Sequence, residues 1–179
     1  MKTLSELGYA RTSLREIAQN SEFSHGVLHY YFTDKVDLIT HCVREYKTQC
    51  VTRYDEITAS ATTADELRIG FAAGLAQTLV NDGAMHRLWY DLRAQSLFEE
   101  SFRADVAEID QSLERMIWRN LTRLAELTGG ELQIGSPVAY AMFDGLFQQA
   151  LLKHLSGDAH AGQQLRDDID SVLTQLLPG

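Results

Sequence analysis

Residues 13–32 read SLREIAQNSEFSHGVLHYYF, and this stretch predicts two short helices joined by a turn. Ser13 followed three residues later by Glu16 has the spacing of a capping box, which opens the first helix. Ser24 can cap the second helix, which we expect to run to about Tyr30. Two short helices joined by a turn of three or four residues have the layout of a helix-turn-helix.

The second of these helices is predicted to have two different faces. His25, Gly26 and His29 share one face by their spacing of three and four residues. Leu28 and Phe32 share the opposite face, which packs. A polar face at the amino end of such a helix can enter a DNA major groove, where base edges are read while neighbouring side chains hold phosphates. The predicted DNA-contacting residues are Ser13, Arg15, Ser24, His25, Gly26, Val27, His29, Tyr30, Tyr31 and Lys35.

A longer stretch bears on this interpretation, because the pattern alone fits an ordinary three-helix packing unit equally well. The run from Leu7 to Leu38, LGYARTSLREIAQNSEFSHGVLHYYFTDKVDL, resembles the DNA-binding domain of the TetR family of transcriptional regulators throughout. The positions that match the family's pattern are Gly8-Tyr9, Thr12-Ser13, Ile17-Ala18, Ser24, Gly26, Leu28, Tyr30, Phe32 and Lys35 through Leu38. The resemblance implies a homodimer that binds a palindromic operator, usually as a repressor released by a small-molecule effector.

Three features depart from the family's pattern. Glu22 stands in the turn where the family usually has glycine, and His29 stands where an aromatic residue, often tyrosine, is more usual. The family's first helix normally begins a dozen or more residues earlier with a basic lead-in, whereas Met1 to Leu7 stand there in this chain. The alternative interpretation is therefore a helical small-molecule-binding protein with an incomplete, non-functional DNA-binding module.

Length and charge permit either interpretation. The 179 residues are 45% hydrophobic and carry a formal net charge of −9. Residues 1–53 hold seven Lys or Arg and six Asp or Glu, a net of +1, so the remainder carries a net of −10. The amino-terminal part can therefore meet a phosphate backbone locally. We expect a helix-turn-helix DNA-binding domain over residues 1–53 and a helical ligand-sensing and dimerisation domain over residues 54–179.

Helix signals continue through the rest of the chain, and an all-α fold of about nine helices is predicted. A long helix starts at Asp34, and a second capping box, Thr63 with Glu66, opens a helix that Asn81-Asp82-Gly83 breaks. The other predicted helices are a short one ending at Gly8, two over residues 84–98 and 101–127, one capped by Ser136 that runs to about Leu155, and one over 161–177.

The second part of the chain supplies a candidate effector pocket. Ligand pockets are mostly apolar and aromatic with a few placed polar groups, and Arg93 could anchor an anionic ligand. The alternative is a place in the core for each aromatic residue and a surface ion pair for Arg93. The candidate ligand-binding residues are Phe71, Trp89, Tyr90, Arg93, Phe98, Trp118 and Phe143.

The helix that follows Pro137 predicts a dimer interface. From Val138 to Leu155 it is apolar almost all round, and such a helix must be covered on all sides. Little chain is left to cover it, so a partner subunit is the natural cover. We expect a homodimer formed through residues 137–155 and 161–177.

Several other functions lack their signatures. No apolar stretch approaches the roughly 18 residues of a membrane span, and no signal peptide is apparent. Cys42 and Cys50 lie about 12 Å apart along one helix, too far for a disulfide, so we expect reduced thiols and a cytoplasmic protein. His25 and His29 have metal-chelating spacing but no third ligand nearby, so no metal site and no cofactor are predicted. Without a nucleophile elbow, a glycine-rich phosphate loop or an HExxH motif, we predict that the chain is not an enzyme.

Overall fold

The computed structural model describes residues 13–177, which form seven α-helices and no strand. The all-α class is confirmed, and the expectation of about nine helices is close. The short helix expected before Gly8 lies outside the described residues. The helices are α1 Leu14–Gln19, α2 His25–Tyr31, α3 Lys35–Ser60, α4 Ala64–Gln95, α5 Arg103–Thr128, α6 Ser136–Leu155 and α7 Ala161–Leu176, with a 3-10 turn at Glu100–Phe102.

Side-chain caps fix the starts of three helices at the residues that the sequence predicts. The Ser13 hydroxyl accepts the Glu16 amide, and the Glu16 carboxylate accepts the Ser13 amide at 2.8 Å, which completes the capping box. Ser24 caps α2 through its hydroxyl oxygen. Thr63 and Glu66 form the same reciprocal pair at the start of α4. These bonds satisfy amides that have no partner within their own helix.

The break expected at Asn81-Asp82-Gly83 is found as a kink within α4. Asp82 has φ −118° and ψ 17°, outside the helical region, so the helix kinks there but does not end. Contacts remote in sequence account for this. The Asp82 carboxylate pairs with Arg53 at 3.6 Å, and a β-carbon at Gly83 would lie 3.2 Å from the His154 ring. Tertiary packing therefore holds the glycine inside a helix.

The cap expected from Ser136 is wrong. Gly135 is the N-cap of α6 and Ser136 is its first residue, so proline stands one place later than expected. The Ser136 hydroxyl donates to the Glu114 carboxylate on α5 instead. The side chain thus serves a contact between two helices that its local sequence does not reveal.

The first of two compact units contains the described residues up to Thr48 together with Ala84–Ile109. In this unit α1 buries one face, formed by Leu14, Ile17 and Ala18. The buried apolar residues of the unit are Leu14, Ile17, Ala18, Leu28, Leu38, Ile39, Val43, Leu88, Trp89, Leu92, Phe102, Val106 and Ile109. The helix-turn-helix therefore shares one unit with the second half of α4 and the start of α5.

The second unit contains Gln49–Gly83 and the described residues from Asp110 onward. Within it α6 and α7 pack against each other. The boundaries of the two units at Thr48 and Gly83 fall inside α3 and α4, so the assignment of residues 1–53 as a separate DNA-binding domain stays a prediction. Within residues 13–177, no helix is both long and apolar enough to cross a membrane.

Candidate functional site

α2 turns nearly all of its side chains away from the core. Of its seven residues, Leu28 alone is buried, and Tyr30 is 82% exposed. The rings of His25 and His29 meet edge to face with their centroids 4.4 Å apart, which places them on one exposed face as their spacing predicts. Phe32 caps the carboxyl end of the helix and is half-buried.

Gly26 leaves open space on this face. Among the described residues, a β-carbon at this position would meet only the Ser24 hydroxyl oxygen, at 3.9 Å, which is an ordinary contact. The packing of the chain itself therefore does not require glycine, although glycine in a helix costs about 0.5–1 kcal/mol relative to alanine. A partner that approaches the backbone from outside would account for the missing side chain.

The turn between α1 and α2 forms without a left-handed residue. The Ser21 hydroxyl accepts the Phe23 amide at 3.2 Å, and the Ser21 amide donates to the Ala18 carbonyl at 3.1 Å. No non-glycine residue between 13 and 177 has a positive φ. Glu22 is therefore accommodated without backbone strain where the family usually has glycine.

The remaining predicted DNA contacts surround α2. Ser13, Arg15 and Ser24 are exposed, and Lys35 is half-buried in the first turn of α3. Val27 and Tyr31 are exposed on α2 itself. The structure thus gathers the predicted residues on the helix-turn-helix and at the start of α3, and contact with DNA stays a prediction for each of them.

The predicted ligand-binding residues fall in both units. In the second unit the rings of Phe71 and Phe143 are buried with centroids 6.0 Å apart, and Trp118 is half-buried. The first unit holds the buried Trp89, the half-buried Tyr90 and Arg93, and Phe98, which is 83% exposed. A role in ligand binding stays a prediction for these seven residues.

A buried polar cluster in the first unit adjoins Trp89, and its other members were not predicted. Lys47 and His86 are both buried, and the Lys47 ammonium lies 3.1 Å from Nδ1 of His86. The Tyr46 hydroxyl lies 2.9 Å from Nε2 of the same ring. Because a lysine ammonium only donates, Nδ1 accepts and Nε2–H donates to the tyrosine oxygen. One signal was available: His86 and Trp89 are three residues apart on one helical face.

Comparison with known proteins identifies the family. Residues 1–42 match the family described as bacterial regulatory proteins, tetR family. Residues 64–178, more than half of the chain, match the family described as BetI-type transcriptional repressor, C-terminal. The chain belongs to the TetR family. It is a DNA-binding transcriptional regulator, as the resemblance of residues 7–38 implied, and its family consists of regulators, not enzymes.

Individual relatives agree with this assignment. The regulator is 26% identical over 178 residues to the HTH-type transcriptional regulator BetI of Paraburkholderia phymatum, covering 97% of this chain and 88% of that protein. It is also 26% identical to BetI of Stenotrophomonas maltophilia over 154 residues, 84% of this chain and 76% of that protein. FadR from Bacillus subtilis, solved with stearoyl-CoA, shares the fold with a TM-score of 0.79 at 18% identity, over 96% and 92% of the two chains. TetR-family regulators bind operators and small-molecule effectors and act as dimers.

Proposed function

We propose that the regulator is a homodimeric repressor that reads a palindromic operator with α2 and is released from it by a small-molecule effector. The observation that carries this proposal is the outward face of α2, where His25 and His29 lie side by side with Leu28 buried behind them. Residues at the amino end of such a helix enter the major groove, and imidazole nitrogens can hydrogen-bond to base edges. Gly26 lets the helix backbone approach the DNA closely.

An apolar stripe on α6 supports the dimer. Val138, Met142 and Leu152 are exposed, and with Gly145 and Gln149 they repeat every three or four residues along one face. A β-carbon at Gly145 would meet nothing within 4 Å, so the middle of the stripe is open to a second backbone. We propose that the partner's residues 137–155 and 161–177 cover this stripe.

The expectation that a partner subunit must cover α6 on all sides is wrong for the side opposite the stripe. Phe147 and Leu151 are buried within their own unit. Leu155 at the carboxyl end of the helix is exposed. The protomer therefore covers one side of the helix itself, and one apolar side is left for the partner subunit.

α3 offers a route from an effector to α2. Lys47 stands twelve residues beyond Lys35, or about 18 Å along the helix. Arg44 pairs with Asp105 and with Glu108, the latter at 3.0 Å, so residues 84–109 are bound to α3 within the first unit. We propose that an effector held by residues 84–109 displaces α3, and with it the recognition helix.

Selection of bound fragments from a random DNA pool by the intact chain tests the proposal. We expect two half-sites about 10 base pairs apart, or a multiple of that spacing. His25→Ala and His29→Ala should each cost about 1–3 kcal/mol at one or two base positions, without loss of helical content or dimerisation. His160→Ala, an exposed histidine at the start of α7, is the matched control and should change nothing.

Two outcomes of this experiment count against the proposal. An unchanged base preference in both histidine variants would rule out α2 as the recognition helix. If no sequence is enriched at all, the chain is better explained as a helical small-molecule-binding protein with a DNA-binding module that does not work.

A further inference from the structure

We propose that one end of the effector site binds a negatively charged group through three residues, which we call the anion cluster: Lys47, His86 and Trp89. The effector is then an organic acid whose carboxylate is held by this cluster. The inference rests on the proposed function, in which an effector releases the operator, and it adds the chemical class of that effector. Nothing in the charge pattern or in the family match specifies this class.

Trp89 gives the first indication that a ligand binds at the cluster. Its indole is 1% exposed, and Nε1 has no hydrogen-bond partner among residues 13–177. Leaving a buried donor unpaired costs free energy, and buried tryptophan N–H groups usually find a partner. Because the indole N–H only donates, the group that completes it must be an acceptor. A ligand oxygen meets that requirement.

Lys47 indicates the charge of that acceptor. The residue is 5% exposed, and its ammonium lies 5.4 Å from the centroid of the Trp89 ring and 5.7 Å from that of Tyr46. The ammonium therefore lies beside the ring that carries the unpaired N–H, and an acceptor that carries a negative charge would suit both groups. A positively charged ligand would be repelled at this point, because burial leaves little solvent to screen the ammonium.

A purely structural role accounts for only part of the cluster. The contacts from Lys47 to His86 and from His86 to Tyr46 form a chain of hydrogen bonds that needs no ligand. The Trp89 ring contacts the Lys47 ammonium, but its buried N–H is not part of this chain of hydrogen bonds, and phenylalanine would supply a ring without that unpaired donor. The faces of the Tyr46 and Trp89 rings supply apolar walls beside the ammonium, which suits an acid with a hydrocarbon body.

The experiment titrates the intact chain with octanoate by calorimetry, with octanamide and octylammonium as the neutral and positive probes of matched length. We expect octanoate to bind and the other two to bind at least tenfold more weakly. The chain has two tryptophans, so the emission of Trp89 is the part of the parent's fluorescence that is missing from Trp89→Phe. Octanoate should shift that emission saturably, which locates the bound acid at the cluster.

Variants separate recognition from folding. Lys47→Met and Trp89→Phe should each weaken octanoate binding about tenfold or more, since each removes a charged or charge-assisted hydrogen bond. Trp89→Phe keeps the core largely filled, and so serves if Lys47→Met does not fold. Lys153→Met, at an exposed lysine on α6, is the matched control and should bind octanoate as the parent does.

Each of three outcomes would overturn the inference. These are that octanamide binds as tightly as octanoate, that both cluster variants bind octanoate with the parent's affinity, or that millimolar octanoate gives no response. These titrations contain no DNA, so they decide the cluster even if no operator is found. If octanoate binds at Trp89 but leaves an operator complex intact, the anion cluster stands and release by this acid is refuted.

Discussion

Leu152→Lys is predicted to dissociate the dimer and leave the protomer folded. Leu152 is 63% exposed on the apolar stripe of α6, so a partner subunit would cover the larger part of its side chain. Burying a whole leucine stabilises by about 1.5–3 kcal/mol, so covering about two thirds of one contributes about 1–2 kcal/mol. The residue occurs twice at a twofold interface, which gives about 2–4 kcal/mol, or a dissociation constant raised about 30-fold or more.

Lysine is chosen because its two side effects oppose the predicted result. The chain carries a net charge of −9, so an added cation reduces the repulsion between protomers. A cation in the last turn also favours the helix dipole. Loss of the dimer would therefore come from desolvation of the ammonium and from the lost apolar contact, and not from general electrostatics or a weakened helix.

Sedimentation equilibrium over a range of concentrations measures the dissociation constant, and circular dichroism checks the fold. Ile69→Lys places the same charge at an exposed apolar residue of α4 and should leave the dimer intact. Leu151→Lys, one residue away but buried within its own unit, should unfold the protomer instead. If Leu152→Lys dimerises as tightly as the parent, the interface does not include this stripe.

Three further predictions each concern a single residue. Gly145→Ala should favour the helix by about 1 kcal/mol yet weaken the dimer in sedimentation, and a tighter dimer would contradict close approach at this position. Lys35→Ala should weaken binding to all DNA sequences about equally and flatten the salt dependence of the affinity by about one unit, whereas a loss confined to one operator contradicts a phosphate contact. The Ser13 hydroxyl lowers the pKa of the Glu16 carboxyl below 4.5, so the capping box stabilises the fold above that pH and less as the pH falls through the lowered value. The loss of stability caused by Ser13→Ala, measured by urea unfolding, should therefore shrink on acidification, and a loss that is independent of pH would contradict this account.

The features that the sequence predicted well are determined within one helical turn. The capping boxes of Ser13 with Glu16 and of Thr63 with Glu66 join residues three apart, so their geometry follows from local spacing alone. The two faces of α2 follow from the same periodicity, and Leu28 is buried as expected. Local rules suffice here because no distant residue competes for these groups.

The features that the sequence did not predict depend on distant residues. Glu114 takes the hydroxyl of Ser136, and the anion cluster joins Lys47 to His86, 39 positions away. In the sequence, Lys47 cannot be told from a solvent-exposed lysine, and only the fold shows that it is buried. The two sides of α6 could not be told apart for a different reason, since both are apolar and only the packing shows which side the protomer covers.

The division of the chain into two units constrains how an effector can work. An effector shifts the equilibrium only as far as it binds one state more tightly than the other, so a bound acid must find the cluster altered when α2 lies on DNA. The first unit offers a connection for such a change, because α3 carries Lys35 near α2 and Lys47 in the cluster. The apolar stripe of α6 belongs to the second unit, whereas the cluster belongs to the first. Substitutions in the two places should then be additive: cluster variants change effector affinity and not dimerisation, and α6 variants do the reverse.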